Sequence, residues 1–381
     1  MSTQPLYFDY AAATPMDPRV LQVMQPYFSE QFYNPSALYS AARNVSKDIT
    51  AARASVAAVL GARPSEIIFT AGGTEANNMA IHGVMAAHPG KNMIMSSIEH
   101  DSILEPAKMY NATEVPVQQD GRITLDAIEQ AITDDTVLVS VQYANNEIGT
   151  VQPIRDVGTL IKNTRKARRQ AGNDTPLYFH VDACQATPYL DLHVARLGVD
   201  LMTLNGGKMY GPKQSGVLYV AGGLSLKPLI SGGGQERNIR SGTENVAAII
   251  GFAKALELVQ ADRKAESERL SKLRDRCTAA LQAKIPGIEI TGSHKFRLPN
   301  NVHITIPGKD NERLLVQLDE AGILAAAGSA CSASSEEPSH VLLALGMSED
   351  QARSSLRFSF GHDTDAAAID KLVATLAELL A

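Results

Sequence analysis

Between residues 66 and 220 short apolar runs of strand length alternate with stretches whose apolar residues fall at helical spacing, and this alternation constrains the fold most. The runs are E-I-I-F-T, N-M-I-M-S-S, E-V-P-V, T-V-L-V-S-V-Q-Y, L-Y-F-H-V, D-L-M-T-L and S-G-V-L-Y-V. Helices are expected from Thr74 through Met85, after His100, over 125–132 and over 154–170. Strands in series with helices make a mostly parallel sheet covered on both faces, so the fold class is α/β. Upstream, a helix ending near Phe28 and another over 41–60, stopped by Gly61, are expected. Downstream, a charged stretch after Val246 reads as one long exposed helix crossing into a smaller α+β domain. That domain is expected to hold strands at I-E-I-T-G, N-V-H-I-T-I-P, 323–327 and S-S-L-R-F-S-F, with helices over 311–320 and at the C-terminus. The expected division is an N-terminal segment (1–15) packing with the small domain, a large domain (16–258) and a small C-terminal domain (259–381).

With 381 residues, 44% of them hydrophobic, the chain can bury a large core. A net charge of -6 gives no field that would attract nucleic acid, and the basic cluster at 162–169 reads as a solvated helix face. Cys184, Cys277 and Cys331 show no paired spacing, which argues against a disulfide framework or a structural zinc site and fits a reducing cytoplasm. No leader pattern opens the sequence and no run of 18 apolar residues occurs, so neither export nor a membrane span is expected.

In parallel sheets ligands sit at the carboxyl ends of strands. Those ends carry Glu99-His100, A-N-N-E at 144–147, D-A-C-Q at 182–185 and N-G-G-K at 205–208. Each residue alone has an ordinary explanation: a surface charge for Lys208, a helix cap for Asp182 or Thr74, a core ring for His100, a turn for Asn34. Together they meet the needs of one cofactor, pyridoxal phosphate. Lys208 offers an amine for a Schiff base and Asp182 a carboxylate for the pyridine nitrogen. Gly73-Thr74 opens a helix that can take the phosphate, and His100 can stack on the ring and move protons. Cys331 stands in G-S-A-C-S-A-S-S-E-E-P-S-H-V-L, a small-residue polar stretch that suits an exposed, reactive thiol better than a core position.

The chain resembles the cysteine desulfurases of the class V group of fold-type I pyridoxal-phosphate enzymes. The resemblance spans essentially the whole length, through Y-F-D-Y-A-A-A-T-P, N-P-S, F-T-A-G-G-T-E-A-N-N, S-I-E-H, A-N-N-E-I-G-T-V-Q-P-I, H-V-D-A-C-Q, N-G-G-K-M-Y-G-P-K, G-G-G-Q-E-R, R-S-G-T-E-N, the Cys331 stretch and S-S-L-R-F-S-F-G. It implies a fold-type I, aminotransferase-like architecture. It implies Lys208 as the cofactor lysine, His100 as the ring-stacking acid/base, Asp182 on the pyridine nitrogen, Gln185 on the ring hydroxyl with Asn146 alongside, and Gly73, Thr74 and Asn205 around the phosphate. Arg357, helped by Asn34, would bind the carboxylate of L-cysteine. Thr243 would reach the phosphate of a neighbouring subunit, which implies a homodimer. Cys331 would take the sulfur as a persulfide, leaving alanine, and pass it to an acceptor protein such as an iron-sulfur scaffold or a tRNA-thiolation relay. No metal of its own is implied, only a transient contact of Cys331 with a scaffold-held cluster. Readings left open are a transaminase or selenocysteine lyase on the same fold and a non-catalytic sulfur-carrier partner. The sequence departs from the family at Asn205 and Gly207, where serine and histidine usually serve the phosphate, so the phosphate site is expected to lean on Thr74 and Thr243.

Overall fold

The structure, a computed structural model, describes residues 5–328 and 337–381. The chain opens with a two-residue strand, β1 (Leu6–Tyr7). The alternating region then forms one seven-stranded sheet from β2 (Ile67–Thr70), β3 (Asn92–Ser96), β4 (Asn111–Val115), β5 (Thr136–Ser140), β6 (Tyr178–Asp182), β7 (Leu201–Asn205) and β8 (Gly216–Val220). Its order is β2-β8-β7-β6-β5-β3-β4. The pairs β3/β4, β3/β5, β5/β6 and β6/β7 are parallel, and β8 runs antiparallel to both β7 and β2. The sheet is therefore mostly parallel.

Period-two alternation sends successive residues to opposite faces, and here both faces are dry. Ile67 and Phe69 of β2 join one core with Val217 and Tyr219 of β8, while Ile68, Leu218 and Val220 join the other. The first core packs against helices Ser40–Leu60 and Ile154–Gln170, the second against helix Gly73–Ala87. The helix Ser40–Leu60 stops at Gly61, whose φ of 63° lies in the left-handed region that glycine enters without a Cβ penalty.

Beyond the sheet, helix Val246–Lys284 runs through both halves of the molecule. Its Phe252, Leu256 and Val259 lie in the sheet core, and its Leu270, Cys277 and Leu281 lie in a separate core. That second core is built on β9 (Glu289–Ile290), β10 (Asn301–Thr305) and β12 (Ser355–Ser359), with helices Asn311–Glu320 and Ala366–Leu380 over it. The remaining strand, β11 (Ile323–Leu324), pairs in parallel with β1, and Phe8 is buried in the same core.

Several expectations shift in detail. The first helix is interrupted at Gln25 because Pro26 has no N–H to continue it, giving Pro18–Met24 and Pro26–Ser29. Strand β4 takes N-A-T-E-V and not E-V-P-V, since Pro116 cannot donate to a ladder. The basic cluster at 162–169 is only partly a solvated face. Arg168 is buried and donates to the carbonyls of Thr133, Thr136, Thr175 and Pro176, and Arg165 pairs with Asp200.

Candidate active site

The carboxyl ends of β3, β5, β6 and β7 open on one cavity of about 170 Å³. Among its lining residues are Gly73, Thr74, His100, Asn146, Asp182, Gln185, Asn205, Lys208 and Arg357. Residues from Gly73 to Lys208 thus meet at one place because the strands of the large sheet end there, and Arg357 reaches the same place from β12 of the smaller sheet.

Lys208 closes a short 3-10 turn, Gly206–Lys208, that follows β7 directly. Its Nζ donates to the carbonyls of Ala11 (2.9 Å) and Ala12 (2.6 Å). The N-terminal segment braces this turn: Thr14 donates from its N–H and its hydroxyl to the Gly207 carbonyl, and its hydroxyl oxygen accepts the Tyr210 N–H at 2.7 Å. A Cβ on Gly206 would lie 2.1 Å from Ser215 Oγ, so the turn tolerates no side chain there.

The phosphate-type corner is the start of helix Gly73–Ala87. Gly72, at φ 142°, caps it without a side-chain hydrogen bond, which leaves first-turn N–H groups and the positive end of the helix dipole for an anion. A Cβ on Gly73 would come within 2.8 Å of Cys184 Sγ, and Asn205 Nδ2 lies next to the same point at 3.4 Å. Asn205 Oδ1 accepts the Gly207 N–H at 3.0 Å, so its amide group is turned with the nitrogen towards this corner. Burial, with Asp182 beside it, pushes the Cys184 thiol well up, and the thiol stays protonated.

Asp182 ends β6 and is held on both oxygens. Oδ1 accepts the Cys184 N–H at 2.9 Å and Oδ2 accepts Asn77 Nδ2 at 2.7 Å. Beneath it, His180 is fully buried between Ser140 (2.9 Å) and Thr203 (3.1 Å), and burial takes its imidazole down to about 4 although Asp182 favours the cation. His100 caps helix Asp101–Ala107, with Nδ1 accepting the Ser102 N–H at 3.0 Å. Its neighbour Glu99 is fully buried. Burial raises that carboxyl well above the usual range and Asp182 adds to the rise, against the Gln142 N–H, which favours the anion.

Arg357 comes from the centre of β12 and is 1% exposed. One terminal nitrogen pairs with Asp9 Oδ1 at 2.6 Å and the other donates to the Asn146 carbonyl at 2.9 Å. Gln185 donates to the Ala11 carbonyl at 2.9 Å from the cavity wall. Two expected residues lie elsewhere. Asn34 and Thr243 are exposed and share a different cleft with Phe28 and Phe32, and Asn34 Oδ1 closes its own turn on the Ser36 N–H. A single chain therefore does not bring Asn34 to Arg357. Cys331 lies outside the described residues. The chain on either side of residues 329–336 returns to one carboxylate: Gly328 lies close to Glu147, and Ser339 Oγ donates to Glu147 Oε2 at 2.6 Å. His340 donates to the Glu99 carbonyl at 2.9 Å.

The sequence reasoning missed Asp9, Asn77, Ser102 and the wall position of Cys184. Two had a readable signal. Asn77 stands three residues after Thr74 on the same helix face, and Ser102 is the second residue of the helix that His100 caps, where a capping side chain finds its N–H.

The sequence profile of the family described as Aminotransferase class-V matches residues 6–372. A cysteine desulfurase IscS of Clostridium botulinum (strain Hall) is 41% identical over 384 residues, covering 98% of this chain and 94% of that protein. A cysteine desulfurase IscS of Methanosarcina thermophila is 40% identical over 382 residues, covering 98% and 92%. Among solved structures, a NifS-like protein matches with a TM-score of 0.90 at 31% identity over 99% of both chains. SspA in complex with cysteine matches with a TM-score of 0.81 at 35% identity, covering 93% of this chain and 98% of that one. Fold, cavity and matches agree across nearly the whole sequence, and the chain belongs to the class-V aminotransferase family, in its group of pyridoxal-phosphate-dependent cysteine desulfurases.

Proposed function

We propose that the protein converts L-cysteine to alanine and carries the released sulfur as a persulfide on Cys331. The observation that carries this reading is the convergence of Lys208, Asp182, His100, Thr74 and Arg357 on one cavity. The donor set fits pyridoxal phosphate: an amine, a carboxylate, an imidazole and an uncapped helix start line the same space. Lys208 would hold the cofactor's aldehyde carbon, Asp182 its ring nitrogen, Gln185 and Asn146 its ring edge, and Gly73, Thr74 and Asn205 its phosphate. When bound, the cofactor supplies an electron sink for the bonds at the substrate Cα.

Arg357 receives the substrate carboxylate, its guanidinium already aimed by Asp9 and the Asn146 carbonyl. Lys208 takes the Cα proton at Nζ, and Lys208 with His100 returns protons to the carbon framework. Cys331 Sγ attacks the substrate sulfur as a thiolate: an S–S bond forms, the Cβ–S bond breaks, and its electron pair stays with the carbon that becomes the alanine methyl. The closeness of Gly328 to Glu147 and the Ser339–Glu147 hydrogen bond support this role, since these described residues flank Cys331 in the sequence.

The assembly we favour is a homodimer. Phe28 and Phe32 are exposed (63% and 66%) on the cleft that holds Asn34 and Thr243, and Leu38 and Tyr39 a few residues on are exposed as well (89% and 53%), apolar surface a second copy would cover. Thr243 would then serve the partner's phosphate corner. We assign the segment 1–15, the residues 16–258 and the residues 259–381 to separate units, supported by the two cores that meet along helix Val246–Lys284. The sulfur acceptor is a protein of iron-sulfur assembly or tRNA thiolation, and the compartment is a reducing cytoplasm, in keeping with unpaired Cys184 and Cys277. Among the described residues no helix is long and apolar enough to cross a membrane.

The test is product analysis with L-cysteine and added cofactor. Alanine should appear, and Lys208→Ala should abolish it. A keto acid in place of alanine would instead identify a transaminase.

A further inference from the structure

Asn77 joins the two acid–base groups of the cavity. Its Nδ2 donates to Asp182 Oδ2 at 2.7 Å and to Ser102 Oγ at 2.8 Å, and Ser102 Oγ lies 2.9 Å from His100 Nδ1. Asn77, Ser102 and Asp182 are all buried (1%, 7% and 8% exposed), and burial strengthens these contacts. The sense of the amide is fixed by chemistry. Reversed, Asn77 Oδ1 would face a carboxylate oxygen at 2.7 Å, acceptor against acceptor. In the orientation present, both amide hydrogens are used and Oδ1 is left without a partner among the described residues. A buried acceptor left unpaired is destabilising, which marks the arrangement as one kept for its two donated bonds.

Proton directions follow along the row. Ser102 Oγ accepts from Asn77, so its own hydrogen is free to point to His100 Nδ1. That nitrogen also accepts the Ser102 N–H at 3.0 Å. An Nδ1 that accepts cannot carry the hydrogen of a neutral imidazole, so the hydrogen sits on Nε2. We propose that Asn77 and Ser102 are positioning residues that tie the Asp182 carboxylate to the His100 imidazole and hold that imidazole as its Nε2–H tautomer. The inference rests on the roles given above to Asp182 and His100, and it extends them: acid and imidazole are set as one unit, and Nε2 is the nitrogen that gives and regains a proton.

The test uses the full chain labelled with 15N-histidine, with His100 assigned by comparison with His100→Gln. As isolated, His100 should show a protonated Nε2 and an unprotonated Nδ1. Asn77→Ala should move the Nδ1 resonance although Asn77 does not touch the ring. It should also lower kcat for L-cysteine about tenfold, ~1.4 kcal/mol, with KM unchanged. Ser102→Ala breaks the same link while keeping the backbone N–H, which secures the test if Asn77→Ala does not fold; Ser102→Thr should restore the parent spectrum. A proton on Nδ1, or a folded Asn77→Ala or Ser102→Ala variant with an unmoved His100 spectrum, overturns the linkage. If the spectra behave as expected but His100→Gln turns over L-cysteine at the parent rate, the linkage stands and the catalytic role of His100 is what fails.

Discussion

Gly207 is where the proposed phosphate corner can be rebuilt. A Cβ there would meet Asn205 Oδ1 at 3.5 Å and Lys213 Cγ at 3.6 Å, ordinary contacts, whereas Gly206 and Gly73 have no such room. Gly207→His should therefore be accommodated and add the donor usual in the family, tightening cofactor binding about tenfold, ~1.4 kcal/mol. Thr74→Ala should weaken it by a similar factor, since Thr74 is the hydroxyl at an otherwise uncapped helix start. Cofactor titration by absorbance checks both, and equal affinities in all three proteins would contradict the assignment of this corner. At Arg357 the guanidinium is buried and aimed through two nitrogens, so Arg357→Lys should raise KM for L-cysteine by about 30-fold, ~2 kcal/mol, by losing the planar fork. Steady-state kinetics reads this directly, and an unchanged KM would remove Arg357 from substrate binding. At this scale the sequence exposed the residues whose chemistry is unusual at a strand end, such as Lys208 and Asp182. It hid those that act through them: Asp9 and Asn77 are ordinary polar residues until folding sets them against Arg357 and Asp182.

Elements were legible where burial and periodicity coincide. The helices Asn311–Glu320 and Ile154–Gln170 and the continuous helix Val246–Lys284 follow their patterns closely. Strand β4 was misread because it lies at the sheet edge and is mostly exposed, so its ladder carries no apolar run to find. The short helices His340–Ala344 and Glu349–Ala352 span too few residues for a period to show. Charge misled in helix Ile154–Gln170. Arg168 looks like part of a solvated stripe, yet its guanidinium fills the gap between that helix and the carbonyls around β5. Arg168→Leu should cost ~3 kcal/mol by leaving buried carbonyls unpaired. Lys162→Leu, on the same helix at an exposed site, should change stability by under ~0.5 kcal/mol. Denaturant unfolding of the two variants decides it, and equal midpoints would show that Arg168 is only a surface charge.

Over the whole molecule, two buried histidines contribute to the acid limb of stability. Burial takes His180 down to about 4, and burial with the charges of Arg297 and Arg357 takes His303 down to about 3. The unfolded chain, with histidine near ~6.5, binds more protons than the folded one in that interval. The contribution is thus complete above that value and is lost as pH falls towards about 4 and about 3. Neither ring nitrogen of His303 has a partner among the described residues. His303→Leu should therefore sacrifice no hydrogen bond and flatten the fall in melting temperature with acid; an unchanged slope would mean that His303 titrates normally. The same molecule-wide view explains why Cys331 was legible only as chemistry: its neighbours in sequence point to an exposed thiol, and of the described residues on either side of it, Gly328 and Ser339 both lie beside Glu147. The most direct measurement is mass spectrometry of the peptide containing Cys331 after the holoprotein has met L-cysteine without an acceptor or reductant. One added sulfur atom on Cys331, with alanine released and both lost in Lys208→Ala, is the expected result. Alanine formed with no sulfur gained at Cys331, or sulfur gained at Cys184 instead, would contradict it.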